Sequence, residues 1–357
     1  MRIAHVLNHT ERLNGHVHAA VDLACAQAAL GHEVSVVSRG GSFDALLKAN
    51  GVETIQIDQR RRPLVALTAA VELTKLMRRF DIAHAHMMTS ALLCYPACKI
   101  AGVPLVTTVH NAFERSSIAM AVGTRVIAVS AAVARLMKER GVPASRLRVV
   151  LNGTIGSRRH ADLSEPPIAL GSPSILSVGG LHPRKGIPDL LKAFEIVNAT
   201  IHGARLHIVG EGPYGAQYRS IAAAMPCASS ITFHGPQEDP RPWFKGADVF
   251  VFPSHAEPAG LVLSEACEAG CAIVASNVDG IPEMLDDGRA GILVPPKNPA
   301  LLAKALIELL TTPNALAEGK KHALANRYRM SLDRVVRETL DVYNECLPAY
   351  VPGAVKV

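Results

Sequence analysis

Two glutamates eight residues apart, Glu257 and Glu265, lie in the segment DVFVFPSHAEPAGLVLSEACEAG, which runs from Asp248 to Gly270. A buried strand ending at Pro253, a loop carrying Glu257 and a helix starting near Gly260 put Glu265 in the second helical turn. The helix N-terminus then offers unsatisfied N–H groups and a positive dipole end, which suit a phosphate or a sugar hydroxyl. Two carboxylates beside it suit a polyol, because each accepts hydrogen bonds from vicinal hydroxyls. The spacing alone equally fits an acid that favours the helix dipole plus a solvated glutamate. Upstream, SILSVGGLHPRKGIPDLLKAF reads as strand, glycine-rich turn, basic pair and helix, with Arg184 and Lys185 just before the helix start. Backbone donors, a positive helix end and a lysine point charge can hold a diphosphate; a solvated basic turn is the alternative. No GxxxxGKS or GxxxxGKT loop is present. His110 ends the run PLVTTVH, where a histidine either meets a ligand or forms a hydrogen-bonded wall. His84 and His86 share a strand face at i and i+2, with no Asp, Glu or Cys at ligand spacing, so no metal site is expected.

These residues need a frame, and short β-rich runs alternate with helical ones from end to end, the pattern of parallel sheets flanked by helices. In the first part, strands are expected at Ile3 to Leu7, His32 to Ser38, Glu53 to Ile57, Asp81 to His86, Pro104 to His110, Arg125 to Val129 and Leu147 to Leu151. The segment Asn152 to Pro173 is rich in Gly, Pro, Ser and charge without apolar period, and reads as an interdomain linker. A second alternation starts at Ser174 and closes with helical Asn314 to Tyr328 and Asp333 to Leu347. The expected division is a Rossmann-like domain over 1–160, a second over 161–332, and a C-terminal helix in 333–357 that packs back on the first domain. Two such halves leave a cleft at the carboxyl ends of their strands, where these folds bind ligands.

Length and composition agree with this division. At about 150 residues per domain, 357 residues suggest two domains, each with a sizeable core. With 49% apolar and 19% charged residues, disorder is excluded as the main state. The net charge of +6 favours anionic partners without choosing among them. Aromatics make up 4%, leaving little base-stacking capacity, and no nucleic-acid partner is expected. Seven cysteines in no CxxC pair read as reduced thiols of a cytoplasmic protein. The start MRIAHVLNHT lacks the features of a secretory leader, and no run of about 18 uncharged apolar residues spans a membrane. Arg60, Arg61 and Arg62, beside Leu64, Val65 and Leu67, read either as a solvated run or as a peripheral contact with anionic lipid at the inner face of a membrane.

The ordered set NGHVHAAVDLACAQAALGHEVSVVS, DIAHAH, GVPLVTTVHN, RVIAVSAAVARLMKERGVPASRLRVVLNGT, VGGLHPRKG, LHIVGEGP and EPAGLVLSEACEAGCAIVASNVDGIPEMLDDGRAGILVPP resembles the retaining glycosyltransferases of family 4 over nearly the whole chain. The resemblance implies the GT-B fold, two facing Rossmann-like domains of which the first binds the acceptor and the second the nucleotide sugar, and transfer of a sugar from a nucleotide-diphosphate donor to the hydroxyl of a glycan, lipid or small-molecule acceptor. It implies no cofactor beyond the donor and no metal. Lys185 would neutralise the diphosphate and Glu265 would bind the ribose hydroxyls. Glu257 and His110 would face the transferred sugar as the catalytic pair. Gly15, Gly180, Arg184, Ala259, Gly260 and Leu261 would complete the donor site. Three positions depart from the family pattern: Asn14 precedes Gly15 where two glycines are common, Gly180 stands where arginine is frequent, and Pro258 replaces a common glycine and removes a backbone donor. Arg184 is placed to substitute for the missing arginine. Two rivals share the fold, a sugar-nucleotide epimerase, which would form product without an acceptor, and a non-catalytic partner subunit that binds nucleotide or glycan. The base, sugar, acceptor and linkage are not readable.

Overall fold

Runs such as RIAHV, IAHA and VFVF are apolar on both faces, as strands of a parallel sheet covered by helices on both sides must be. The computed structural model describes residues 1–12, 14–60, 63–160 and 165–347, and these form two units. The first comprises Met1–Leu151, Gly156–Ala161 and Leu332–Val357, and the second Asn152–Ile155 and Asp162–Ser331.

In the first unit the strands are β1 (Arg2–Val6), β2 (Glu33–Ser38), β3 (Glu53–Gln56), β4 (Ile82–Ala85), β5 (Leu105–Val109), β6 (Arg125–Ala128) and β7 (Leu147–Val149). They form one parallel sheet in the order β3-β2-β1-β4-β5-β6-β7. The order reverses between β1 and β4, and at such a switch point the loops leaving the carboxyl ends diverge and leave a crevice. Ile3, Val36, Ile82, Val106 and Ile127 from the strands pack with Val17, Val21 and Ala24 of the helix Gly15–Ala29. Val342 and Tyr343 of the last helix, Leu332–Asn344, complete the same core.

The second unit holds β8 (Ser174–Val178), β9 (Arg205–Val209), β10 (Ile231–Gly235), β11 (Val249–Phe252), β12 (Ala272–Ser276) and β13 (Ile292–Val294), again all parallel. Their order is β10-β9-β8-β11-β12-β13, so the switch point lies between β8 and β11. The core is built from Ile175, Leu206, Val249 and Val274 with Leu190 and Phe194 of the helix Ile187–Thr200 and Leu306 of the helix Pro299–Thr311. The strand β13 and the helices Asp44–Ala49, Gly215–Ala223 and Arg241–Gly246 are elements that the sequence pattern did not disclose.

The segment read as a linker is partly built into the domains. Asp22, 1% exposed on the helix Gly15–Ala29, accepts from Arg159 Nε at 2.7 Å, from a second Arg159 nitrogen at 2.9 Å and from the Ser157 hydroxyl. A buried carboxylate needs such partners, and they tie residues 157–159 to the first unit. Residues 152–155 belong to the second unit, where Gly153 packs so closely on Met330 that a Cβ would lie 2.3 Å from its carbonyl oxygen. All seven cysteines are unpaired, and burial pushes the thiols of Cys25, Cys98, Cys267 and Cys271 up to about 12. Among the described residues no single helix is long and apolar enough to cross a membrane.

Candidate active site

In the second unit the residues singled out by sequence sit on the two connections that leave the switch point. After β8 the chain passes Gly179 and Gly180, makes a 3-10 turn at Pro183–Lys185 and enters the helix Ile187–Thr200 through Gly186. Gly186 has φ +67°, and a Cβ there would lie 2.0 Å from the Pro253 carbonyl oxygen, so only glycine permits this approach. The turn bearing Arg184 and Lys185 is thereby pressed onto the loop after β11. Two hydrogen bonds stitch them: the His255 amide donates to the Arg184 carbonyl at 2.7 Å, and His255 Nε2 lies 2.6 Å from Asp189 Oδ2.

Lys185 and Glu257, 72 residues apart, meet across this seam as an ion pair. The ammonium also lies 4.8 Å from the centre of the Phe252 ring, within cation–π range. Glu257 is 6% exposed, and its own backbone is clamped: its amide donates to Asp279 Oδ2 at 2.8 Å and its carbonyl accepts from the Gly280 amide at 3.1 Å. Gly260 then caps the helix Leu261–Ala269 with no side-chain cap bond among the described residues, so no side chain takes up the helix's first amides, which follow Ala259 and Gly260 at Leu261. Its glycine is required by packing, since a Cβ would lie 2.6 Å from the Phe252 ring. Glu265 sits on this helix at 7% exposure. If Glu265 accepts from ribose hydroxyls, as the resemblance implies, replacing it by alanine is expected to weaken nucleotide affinity by about 1.5 to 3 kcal/mol, the worth of hydrogen bonds to a charged group, as read by calorimetric titration. Equal affinity of variant and parent would take that role away.

Gly180 differs from its neighbours. A Cβ there would meet nothing closer than the Glu211 carbonyl oxygen at 3.8 Å, so packing does not demand glycine at the position where the family arginine is missing. Arg184 is half-buried beside Lys185.

In the first unit a cavity of about 400 Å³ opens at the carboxyl ends of β1, β4 and β5, lined among others by Asn8, Asn14, His16, His86, Thr108 and His110. Gly15 opens the adjoining helix, whose cap residue Asn14 makes no side-chain cap bond. His110 follows β5 directly, and burial lowers its ring to about 3; burial and His9 lower His16 to about 4. Behind this wall lies a layer of imidazoles that sequence spacing did not reveal. Register pairs His5 of β1 with His84 of β4, and His86 follows on the same face. Their nearest nitrogens lie within 4.8 Å of one another, a distance compatible with a metal. All six ring nitrogens, however, have protein partners: His5 with Gln27 and His86, His84 with the Tyr343 and Thr108 hydroxyls, and His86 with His5 and His110. A cation would have to break those bonds, and no carboxylate is among them to offset its charge. Of the basic run, Arg60 is paired with Asp58 at 2.5 Å, while Arg61 and Arg62 lie outside the described residues.

Comparison with known proteins supplies the context. Residues 13–155 match the family described as Glycosyltransferase Family 4, and residues 172–312 match Glycosyl transferases group 1. A protein of Acidothermus cellulolyticus named D-inositol 3-phosphate glycosyltransferase is 32% identical over 339 residues, covering 84% of this chain and 75% of the relative. A protein of the same name from Saccharomonospora viridis is 29% identical, with 87% and 81% covered. Among solved structures, Anabaena Alr3699/HepE in complex with UDP-glucose superposes with a TM-score of 0.80 at 18% identity, over 97% of this chain and 100% of the other. A glycosyltransferase of Rickettsia africae gives 0.81 at 20% identity, over 98% and 99%.

Proposed function

Because this chain belongs to the glycosyltransferases of group 1 and family 4 and has the GT-B fold, we propose that it is a cytoplasmic enzyme that transfers a sugar from a nucleotide-diphosphate donor to an acceptor hydroxyl, with retention at the anomeric carbon and without a metal ion. The observation that carries this reading is the Lys185–Glu257 pair held against Phe252 beside an uncapped helix start. An ammonium already desolvated and oriented is a ready partner for a diphosphate, whose greater negative charge outcompetes one carboxylate. Release of Lys185 then leaves Glu257 free to accept from sugar hydroxyls. Arg184 adds a second cation, and Glu265 accepts from the ribose. Charge that develops on the leaving diphosphate is stabilised by Lys185, Arg184 and the helix amides, which do not have to reorganise during the reaction.

The cavity of the first unit suits a neutral, hydroxyl-rich group. Among the described residues its lining contains no lysine or arginine, and one carboxylate, Glu114. A phosphorylated cyclitol, which the names of the relatives would suggest as acceptor, would find no fixed cation there, so the acceptor proposed is uncharged. Gly180 keeps one rival reading in view, a nucleotide-binding partner subunit without turnover.

The deciding experiment is a thermal-shift panel of UDP, GDP, ADP and TDP sugars, followed by transfer assays with the nucleotide that binds. At about 100 times its dissociation constant a ligand adds roughly 2.7 kcal/mol to the native state, a readily measured shift. Transfer is expected to survive EDTA and to favour free inositol or a neutral glycan over inositol phosphate. Loss of turnover in EDTA, restored by magnesium or manganese, would contradict the metal-free scheme. Binding without transfer to any acceptor would favour the partner subunit, and product formed without acceptor would favour an epimerase.

A further inference from the structure

A line of buried polar side chains runs without a break from the helix Gly15–Ala29 to the wall of the first unit's cavity. Gln27 Oε1 lies 2.7 Å from His5 Nε2, His5 Nδ1 lies 2.9 Å from His86 Nε2, and His86 Nδ1 lies 3.2 Å from His110 Nε2. Gln27 and His5 are fully buried and His86 is 4% exposed, so water does not intervene as an alternative partner. His84 stands beside this line, held by Tyr343 and Thr108 at 2.6 Å each.

The chemistry of the end member orders the protons. An amide oxygen accepts and cannot donate, so His5 carries its proton on Nε2 and presents a lone pair at Nδ1. His86 must then donate from Nε2 and accept at Nδ1, which requires His110 to donate from Nε2. Each ring gives its single proton in the same direction, away from the cavity. A second proton on His5 or His86 would set two donors face to face. Burial opposes that second proton as well, holding His5 near 4, His110 near 3 and His86 well below the usual histidine value. At the near end His110 Nδ1 is left as an unprotonated nitrogen, and that atom is buried with no hydrogen-bond partner among the described residues.

We propose that Gln27, His5 and His86 are positioning residues that lock His110 in its Nε2–H tautomer, so that His110 Nδ1 acts as a hydrogen-bond acceptor for a sugar hydroxyl brought to the cavity wall. The inference rests on the sugar-binding reading of that cavity and deepens it. A locked acceptor selects for a hydroxyl at one position of the sugar, because a deoxy or methylated analogue leaves the buried nitrogen unpaired. The choice of glutamine is part of the device. A carboxylate at position 27 would draw a second proton onto His5 and turn the line around, whereas an amide orders it without adding charge.

Ring-nitrogen proton spectra of the protein carrying isotope-labelled histidine test this directly, because they report which nitrogen of each ring bears the proton. His110 is assigned by the resonances lost in His110→Gln. The expected result is an unprotonated Nδ1 and a protonated Nε2 on His110, unchanged between about pH 8 and pH 6. Gln27→Met keeps the volume and removes the acceptor; in it His110 is expected to show both tautomers, with KM for the sugar acceptor raised about tenfold and less change in kcat. Should Gln27→Met not fold, the parent spectrum still decides. The opposite order, with the Gln27 amide turned over, leaves a proton on His110 Nδ1, and that signal would overturn the inference, as would an unaltered His110 tautomer in folded Gln27→Met. The spectra need no substrate. A chain that transfers no sugar yet shows His110 as Nε2–H removes the proposed function and upholds the lock, and an active enzyme with Nδ1–H does the reverse.

Discussion

Lys185→Ala and Arg184→Ala are each expected to reduce turnover by about tenfold to a thousandfold, the range for losing one preorganised donor that stabilises developing charge. Lys185 should lie at the upper end, because its ammonium is fixed by Glu257 and by the Phe252 ring before any ligand arrives. The alanine variant also strips Glu257 of its cation at 6% exposure, which carries a stability cost of its own. Lys185→Met keeps most of the chain that covers Phe252 and so removes the charge without opening a cavity, and the thermal midpoint of each variant must be read beside its kcat. If both cations hold one diphosphate, as proposed, their effects should not add, and the double variant should fall close to the worse single one. A fully active Arg184→Ala enzyme would assign the diphosphate to Lys185 alone. Gly180→Arg is expected to fold, since nothing lies within 3.8 Å of the position its Cβ would take. An inactive parent that gains turnover from this change would identify a chain that has lost catalysis.

The second large effect is on acid stability. Burial is the main cause that lowers His5, His16 and His18 to about 4 and His110 to about 3, against about 6.5 in an unfolded chain. A base whose folded value is depressed binds its proton more readily when unfolded. The associated stability is therefore fully present above about pH 6.5 and declines as pH falls toward 4. Between pH 6.5 and 5.5, where an unfolded histidine goes from half to mostly protonated, each contributes a loss of about 1 kcal/mol, so four of them give on the order of 4 kcal/mol. That is comparable with the whole stability of an ordinary domain. All four belong to the first unit, so hydrogen exchange at about pH 5.5 should show its sheet amides losing protection ahead of those in β8 to β12. Equal protection of the two sheets through this range would count against the neutral imidazoles.

The alternation that defines the fold was open to reading in the sequence, because both parallel sheets are buried on both faces and their strands appear as unbroken apolar runs. β13 escaped it, being three residues long at a sheet edge, as did Asp44–Ala49 and Arg241–Gly246, six residues each and too short for a helical period to repeat. The candidate site was legible in part, through motif resemblance. Arg184, Lys185, Glu257 and Glu265 announced themselves by their position before or within a helix start. Their mutual geometry did not, since the pairing of Lys185 with Glu257 spans 72 residues and depends on the close approach at Gly186. The imidazole layer was hidden for a related reason. His84 and His86 are visibly on one face, but nothing local says that His5 stands opposite His84, that Gln27 lies over it, or that Tyr343 arrives from 259 residues away to meet His84. The tie between Asp22 and Arg159 is equally non-local, which is why residues 157–159 read as linker.

The placement of Tyr343 has a consequence for how this protein comes off the ribosome. The first unit begins with residue 1, yet its core is closed by Val342 and Tyr343, and the tyrosine supplies the hydroxyl that His84 needs. The second unit, Asn152–Ile155 and Asp162–Ser331, is fully synthesised before the helix Leu332–Asn344 exists. Vectorial synthesis at about 5 to 20 residues per second therefore lets the domain encoded second finish first, while the domain encoded first waits with a buried histidine unpaired and an apolar groove uncovered. Nascent chains stalled before residue 332 should accordingly expose the first sheet to chaperones and proteases after the second has become resistant.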